Sequence, residues 1–207
     1  MKHVLALIIV FSIFAQFSHG QKQNRFQYVG LGLNNIVNLK LNDIIESNSL
    51  NSAPLNLIEF DYGINYSPKS LGAFLEANYS FFSKDLSSTS IQSFRLGVDY
   101  KIPLTDKLNV KFGGFYSYSG IRILVNNATN SDIYYNSLNT ANGGNIIFHC
   151  KNNSAGGVVT FCFKNVALRV LYDVSLDEIN WQILNNNANG FKNELISKVF
   201  VGLVYKY

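Results

Sequence analysis

Apolar and polar residues alternate one by one along most of this chain, and a repeat of two residues is the period of a β-strand. Between Ile58 and Tyr66, for example, every second residue is apolar and those between are polar or glycine. Eight segments show this alternation: 29–41, 58–66, 71–81, 94–102, 108–118, 159–163, 166–174 and 195–207. The pattern predicts eight strands of an all-β protein.

The connections between these segments differ in length, and long and tight ones alternate. The predicted long connections are 42–54, 83–90, 120–156 and 175–193, and the tight ones are 67–70, 103–107 and 164–165. In an antiparallel up-and-down meander, this alternation places every tight turn at one end and every long loop at the other. Two apolar islands, 121–125 and 146–148, either extend the neighbouring strands or form a short hairpin, and the pattern leaves both possibilities open.

The alternation does not by itself say which face of the sheet is wet. A soluble exported barrel of the lipocalin kind has its apolar side chains inside, whereas a membrane barrel has them outside. Glycines on the polar face make room in the narrow lumen of an eight-stranded barrel but would only weaken an exposed surface. They are Gly30, Gly32, Gly63, Gly72, Gly97, Gly113 and Gly202. Their position favours an apolar face directed toward lipid.

Charges of both signs also lie on the polar face. In a water-poor lumen such charges need partners, because an unpaired buried charge is costly. We therefore predict a structural network of lumenal salt bridges formed by Glu59, Asp61, Glu76, Arg95, Asp99, Lys101, Lys111, Arg169 and Asp173. One alternative is a solvated outer surface. Another reads Glu59, Asp61 and Glu76 as a cation site or as paired catalytic carboxylates.

Aromatic residues of the apolar face lie near the strand ends, where the two interfaces of a bilayer would be. They are Tyr66, Tyr100, Phe163 and Tyr207 toward the tight turns, and Phe81, Tyr116, Tyr118 and Tyr172 toward the long loops. Open sheet edges do not occur in lipid, so the first strand must pair with the last. The sequence thus predicts an eight-stranded antiparallel up-and-down transmembrane β-barrel.

The first twenty residues have a different composition. A basic start at Lys2 is followed by the apolar run VLALIIVFSIFAQF and by small residues up to Gly20, as in a secretory signal peptide cleaved before Gln21. A membrane anchor is the alternative, but the run is shorter than the roughly 20 residues needed to span a bilayer. The predicted domains are a signal peptide over 1–20 and a barrel over 21–207. Without Lys2 the formal charge falls from +4 to +3, too small a surplus to indicate nucleic-acid binding.

These features together resemble the small eight-stranded outer-membrane β-barrels of the OmpA/OmpX-like superfamily, a porin-like group. In the last strand, Gly202, Tyr205 and Tyr207 are similar to the C-terminal insertion signal of that family, with Phe200 where the family usually has a polar residue. The resemblance implies an outer-membrane location in a Gram-negative bacterium and long loops on the cell exterior. It also implies two partners, the outer-membrane lipid and the barrel-assembly machinery, which would read the last strand.

Candidate chemistry is sparse. After residue 20 the only histidine is His149. Some barrels that this chain resembles modify lipid A with a histidine paired with serine or aspartate. A histidine in a loop is more often an ordinary polar residue, so we predict no catalytic, cofactor-binding or metal-binding residue.

Two cysteines and one tryptophan lie in or beside the predicted loops. Cys150 and Cys162 can form a disulfide only if the chain folds back between them, since twelve residues of one strand span about 40 Å. Trp181 shares its parity with Ile179 and Ile183, and it either anchors its loop at the membrane interface or contacts a partner.

The expected function is a structural or surface-interaction role, resembling adhesion, in which the loops 120–156 and 175–193 contact an unknown surface partner. Three alternatives stay open: a narrow pore, a lipid-modifying enzyme and a soluble lipocalin-like carrier. No cofactor and no nucleic-acid partner are expected.

Overall fold

The structure, a computed structural model, describes residues 25–47, 50–127, 134–135, 138–139, 144–183 and 191–207. The predicted signal peptide, 1–20, lies outside the described residues. Numbered in chain order, the described elements are β1 (Arg25–Val37), α1 (Leu41–Ser47), β2 (Asn56–Tyr66), β3 (Leu71–Lys84), β4 (Ser87–Pro103), β5 (Leu108–Asn127), β6 (Tyr134–Tyr135), β7 (Leu138–Asn139), β8 (Gly144–Phe163), β9 (Val166–Ser175), β10 (Ile179–Ile183), β11 (Phe191–Glu194) and β12 (Ser197–Lys206).

Eight of these strands form one closed antiparallel barrel. In chain order, β1, β2, β3, β4, β5, β8, β9 and β12 each pair with the next, and β12 pairs with β1. At this seam Leu31 lies opposite Leu203 and Gly32 lies opposite Gly202. Closure pairs both edges of every barrel strand. The predicted eight-stranded up-and-down barrel is confirmed.

Apolar side chains cover the outer surface of the barrel in a belt. Leu31, Leu96 and Leu203 are 53%, 61% and 59% exposed, whereas leucine is usually buried in a soluble domain. On β3 the belt runs from Leu71 to Phe81, which are 64% and 44% exposed. This is about 34 Å along the strand and about 26 Å in height at a strand tilt of about 40°. The lipid-facing band of an outer-membrane barrel is about 25 Å tall. The belt therefore has the height of a bilayer core, and the soluble lipocalin-like carrier is wrong.

The predicted aromatic girdles lie on this belt. All eight of their residues are between 43% and 60% exposed. They divide between the end of the barrel with the tight turns 67–70, 103–107 and 164–165, called the turn end below, and the opposite or loop end. This distribution is typical of rings of aromatic residues at two membrane interfaces.

Two predicted loops consist largely of strand. β3 and β4 are joined by a two-residue turn at Asp85 and Leu86, with Asp85 in the left-handed region (φ 53°), so the predicted open loop 83–90 is wrong. The predicted loop 120–156 is wrong over 120–127 and 144–156, where β5 and β8 stay paired as far as Asn127 opposite Gly144. Both apolar islands, 121–125 and 146–148, thus extend the neighbouring strands β5 and β8. Their polar neighbours gave a loop-like composition because one face of these strand segments is solvated.

The connection between β1 and β2 packs against the interior side of the barrel strands. After β1, Asn38 adopts a left-handed conformation (φ 62°), and Leu39 and Leu41 become buried, at 6% and 0% exposure. Their predicted place among the lipid-facing residues of the first strand is wrong, since the turn at Asn38 redirects them. The Asn42 side chain then ties α1 to the returning chain, because it donates to the Ala53 carbonyl (3.0 Å) and accepts from the Ala53 amide (2.8 Å).

The predicted loop 175–193 contains a small hairpin. β10 pairs with β11 and also joins β8, with Gln182 opposite His149. We call α1, β10, β11 and the parts of β4, β5 and β8 beyond the belt (87–92, 119–127 and 144–153) the loop-end extension. In the described part of the chain, no helix is long and apolar enough to cross a membrane.

Candidate functional site: the lumen and the loop-end extension

Five charged side chains meet in the lumen, supplied by β2, β3, β4 and β9. Arg95 lies among three carboxylates: its Nη2 is 2.9 Å from Glu59 Oε1, and its Nη1 is 2.7 Å from Glu76 Oε1 and 3.6 Å from Asp61 Oδ1. Arg169 pairs with the second oxygen of Glu76, Oε2. All five are at most 5% exposed. Because β3 and β9 are four strands apart in a ring of eight, the Glu76–Arg169 pair joins opposite walls of the barrel.

Polar and aromatic side chains complete this central cluster. The Tyr28 hydroxyl donates to Glu76 Oε2 (2.8 Å), and the Ser80 hydroxyl donates to Glu59 Oε2 (2.6 Å). Asp61 is the least engaged carboxylate, since neither of its oxygens accepts a hydrogen bond within the described residues. The guanidinium groups lie 4.9 to 5.9 Å from the ring centres of Tyr28, Phe74, Phe115 and Phe200. Charges and rings together fill the lumen at this level.

Two further ion pairs lie toward the ends of the lumen. Toward the turn end, Lys111 Nζ is 3.1 Å from Asp99 Oδ2, and the Asn65 amide donates to the same oxygen (2.8 Å). Toward the loop end, Lys198 Nζ is 3.2 Å from Asp173 Oδ2. The lumen thus contains one cluster of arginines with carboxylates and two lysine–carboxylate pairs. Few of its buried charges lack a counter-charge.

Eight of the nine residues of the predicted network make ion pairs, but as three clusters and not as one network. Lys101 is the exception: within the described residues it makes no ion pair, it is half-buried, and it lies opposite another cation, Lys111. Lys101 therefore lies apart from the three clusters, at the turn end of β4, where water can solvate it. Lys198, the partner of Asp173, shares the polar face by parity but was not included in the predicted network. That these clusters stabilise the barrel stays a prediction.

Lumenal glycines make room for the rings that hold the central cluster. A Cβ atom on Gly97 would overlap the Phe74 ring, and one on Gly63 would overlap the Tyr28 ring. Phe74 packs on Arg169, and Tyr28 donates to Glu76. The predicted role of small residues in a narrow lumen is confirmed at these two positions.

Beyond the belt, the inward face of the strands changes from polar to apolar. Ile121, Ile123 and Trp181 are 0% exposed and pack in one cluster with Leu41 and Ile45 of α1. The other buried members are Ile36, Leu39, Ala53, Leu57, Ile91, Val125, Ile146, Phe148, Cys150, Ile179, Ile183 and Ile196. This apolar core covers the loop end of the lumen. Both predicted roles of Trp181, interface anchor and partner contact, are wrong because its face points inward.

Both cysteines lie on β8, and both are buried in the barrel interior. Cys150 belongs to the apolar core, whereas Cys162 lies near the turn end. β8 stays paired with β5 along the whole stretch between them, so the fold-back that a disulfide needs does not occur. Cys162 lines a cavity of about 30 Å³, together with Asn65 and Lys111, that is large enough for a water molecule.

His149 lies on the outer face of the loop-end extension. It is opposite Arg122 on β5 and Gln182 on β10. Partial burial and the positive charges of Lys151 and Arg122 lower the pKa of His149 below its ordinary value of 6.5. The positions beside it are not the serine or aspartate that an acyl-transfer centre needs.

No family model and no curated protein matches the chain. Among solved structures, Neisserial surface protein A (NspA) superposes with a TM-score of 0.51 at 13% identity, over 89% of this chain and 98% of that protein. The fold is that of a small outer-membrane β-barrel. The predicted fold of a small eight-stranded outer-membrane barrel is thereby confirmed.

Two other barrels superpose less closely. A major outer membrane protein from Thermus thermophilus gives a TM-score of 0.48 at 12% identity, over 89% of this chain and 100% of that one. Ail, the attachment invasion locus protein of Yersinia pestis, gives 0.48 at 9% identity, over 90% and 100%. At such identities a structural likeness does not transfer a function.

Proposed function

We propose that this barrel is an integral outer-membrane protein with a structural and surface-interaction role, resembling adhesion, that its loop-end extension performs outside the cell. The observation that carries the proposal is the apolar core beyond the belt, in which Leu41, Ile121 and Trp181 are fully buried. Connections that only joined strands would not need a core of their own. Strands and a helix held on such a core present a defined outer surface, and sites on rigid elements keep their geometry better than sites on loops.

The proposal includes two partners inside the cell envelope. Outer-membrane lipid covers the belt, and the barrel-assembly machinery reads the last strand. Tyr205 on the outer face of β12 is 50% exposed and Tyr207, just after the strand, is 60% exposed, while Gly202 is buried on the lumenal side. Two outward aromatic rings at the end of the strand are therefore accessible to a recognition factor during insertion.

Cysteine labelling tests the orientation. The native cysteines are buried, so new ones at exposed positions can be labelled selectively: Gln182→Cys on β10 and Thr105→Cys in the turn 103–107. We expect a membrane-impermeant maleimide to label Gln182→Cys on intact cells, and Thr105→Cys only after the outer membrane has been permeabilised. The reverse pattern would place the extension in the periplasm and remove the proposed role.

Trimming the longest hairpin tests the interaction. Asn127 lies opposite Gly144, so a two-residue Asn-Gly turn in place of 128–143 can close β5 onto β8 without disturbing the pairs below. We expect cells that display the trimmed barrel to adhere less to host-cell monolayers than cells that display the native one. The matched control replaces Asp85-Leu86 by the same Asn-Gly turn at the same end. Equal adherence of native and trimmed proteins, with barrel folding intact, contradicts an adhesive role of this hairpin.

A narrow pore is the second candidate, because the lumen is charged. The central cluster and the apolar core both lie across the path of an ion, and Phe74, Phe115 and Phe200 are each at most 6% exposed. Planar-bilayer recordings of the purified barrel should accordingly show no discrete conductance steps. Reproducible steps that change in size on Asp61→Asn substitution would favour the pore instead.

A lipid-modifying enzyme centred on His149 has less support, since its neighbours are two cations and a glutamine. The lipid A of cells expressing His149→Ala should be identical by mass spectrometry to that of cells expressing the native protein. A lipid A species found with the native protein and missing with the variant would support the lipid-modifying enzyme instead.

A further inference from the structure

A basic patch lies on the outer face of the loop-end extension, formed by Arg122, His149 and Lys151. Strand pairing places Arg122 opposite His149 and Lys151 opposite Gly120, in adjacent rows of β5 and β8. Arg122 and Lys151 are exposed and His149 is half-buried, whereas the residues between them along each strand are buried in the apolar core. The patch therefore points away from the core, on the side of the barrel that carries the belt.

The height of the patch above the belt can be read from β5. Tyr118 is the last belt aromatic on this strand and is 43% exposed. The row of Gly120 and Lys151 lies two residues further on, about 5 Å higher, and the row of Arg122 and His149 lies about 10 Å higher. The polar headgroup layer on each side of a bilayer core is about 5 to 8 Å thick. The lower row thus lies within this layer, and the upper row lies just beyond its outer edge.

The cations of the patch have no counter-charge within the described residues. No ion pair of Arg122 or Lys151 is found there, and the two charges that act on His149 are both positive. The flanking outward residues of β4 and β10 in these rows are neutral: Ser90, Gln92 and Gln182. The carboxylate nearest in sequence is Asp132, ten residues after Arg122 and outside the described residues.

Gly120 leaves an unobstructed strand surface at the base of the patch, called its floor below. A Cβ atom built on this residue meets nothing within 4 Å, and its backbone conformation suits any L-residue. A ligand group can therefore approach the strand surface between the lysine and the arginine, with the neutral amides of Gln92 and Gln182 at the margins as hydrogen-bond donors.

We propose that the basic patch binds the phosphate groups of a membrane lipid headgroup, namely the phosphorylated sugars of lipid A in the outer leaflet. A guanidinium fork and an ammonium group suit phosphate oxygens, and each adds affinity for an anionic membrane surface. The exposed rings of Tyr116 and Tyr118, just below, contact the acyl chains of the same lipid. A free anion would gain only the upper part of this surface, so the position beside the belt selects a lipid-borne phosphate.

Native mass spectrometry of the detergent-purified, full-length barrel tests the proposal, with titrations of lipid A, dephosphorylated lipid A and phosphatidylcholine. We expect lipid A to bind at least tenfold more tightly than dephosphorylated lipid A, and we expect that preference to be lost in the double variant Arg122→Gln/Lys151→Gln. The matched control, Lys84→Gln/Lys107→Gln, removes the same charge from exposed positions elsewhere and should keep the preference. Equal lipid A binding by native and double-variant proteins overturns the proposal, and so does equal loss in the control.

A second pair of variants leaves the cations in place. Gly120→Glu puts a carboxylate on the floor of the patch, whereas Gly120→Gln adds the same bulk without charge. Glutamate should weaken lipid A binding about tenfold relative to glutamine. In addition, the NMR titration of His149 should shift to a higher pKa when lipid A is added, since phosphate offsets the two neighbouring cations. Binding of inorganic phosphate with the same effect on His149 at equal phosphate concentration would reveal a solvent-open anion site and overturn the assignment to lipid.

Discussion

The membrane-facing part of the barrel and the loop-end extension are built from the same strands with opposite apolar faces. On β5 within the belt, Phe112 is exposed on the outside while Lys111 is buried inside. Beyond the belt, Ile121 and Ile123 are buried inside while Arg122 is exposed outside. The pairing of β5 with β4 and β8 continues across this change without a shift of register. The strand stays the same, and only the medium around it differs.

This contrast shows that the outer medium decides which face of a strand is apolar. Lipid requires an apolar outer face, so the lumen within the belt takes polar and charged side chains, which must then be paired. Where water surrounds the strands, the apolar side chains can turn inward and form a core like that of a soluble domain. The two regions therefore depend on different interactions, charge pairing in one and apolar packing in the other, and they should fail separately.

The largest expected effect comes from the central cluster. Glu76→Gln leaves Arg95 and Arg169 with one counter-charge fewer, and removing one partner of a buried ion pair costs about 3 to 5 kcal/mol. The measurement is the free energy of unfolding in lipid vesicles from guanidinium titration. The exposed carboxylate variant Asp106→Asn in the turn 103–107 should stay within about 0.5 kcal/mol of the native protein. Similar small changes for both variants would show that the cluster does not stabilise the barrel.

An arginine placed on each outer face tests the contrast directly. Leu203→Arg puts a charge into the belt near its middle, which costs about 2 to 4 kcal/mol in outer-membrane barrels. Gln92→Arg puts the same charge on the outer face of β4 just beyond the belt, where polar headgroups and water solvate it, and should cost almost nothing. Unfolding titrations in vesicles, with unboiled and boiled samples compared on SDS gels, measure both. Equal costs at the two positions would mean that the belt does not end where the apolar face changes.

The alternation of residues was sufficient to predict the barrel, its closure and its girdles, because parity along a strand identifies faces independently of tertiary contacts. The counter-charge argument likewise placed Glu76 and Arg95 in the lumen with counter-charges, although it named no individual pairs. The counter-charge argument could not divide the charges into three clusters or set Lys101 apart from them. The choice of partner depends on which walls of the lumen lie close together, and the sequence pattern does not give that distance. For Trp181, the alternation showed that it shares a face with Ile179 and Ile183, but not whether that face points into the barrel or outward. Leu39 and Leu41 were misplaced because a single left-handed residue, Asn38, redirects the chain.

A smaller change should affect the extension alone. Ile123→Val removes one methylene from the apolar core, which costs about 1 kcal/mol. Trp181 is the single tryptophan of the chain and lies in this core, so its fluorescence reports the extension selectively. We expect the denaturation midpoint measured by Trp181 fluorescence to fall. The midpoint of the heat-dependent gel shift, which reports the barrel, should stay unchanged. A coupled fall of both midpoints would mean that the two regions unfold as one unit.

The smallest expected effect is the pH dependence of the extension. Burial and two cations hold the pKa of His149 below 6.5 in the folded state, so near that pH the unfolded chain binds more protons. The free energy of unfolding of the extension should therefore fall as the pH drops from about 7 through the folded pKa of His149, and it should level off below that value. Carboxylates also titrate in acid, so the informative quantity is the difference between the native protein and His149→Gln, followed by Trp181 fluorescence. That difference should shrink when lipid A is present, because phosphate compensates the charge that protonation adds to the basic patch. A difference that is independent of pH would remove His149 from the electrostatics of the extension.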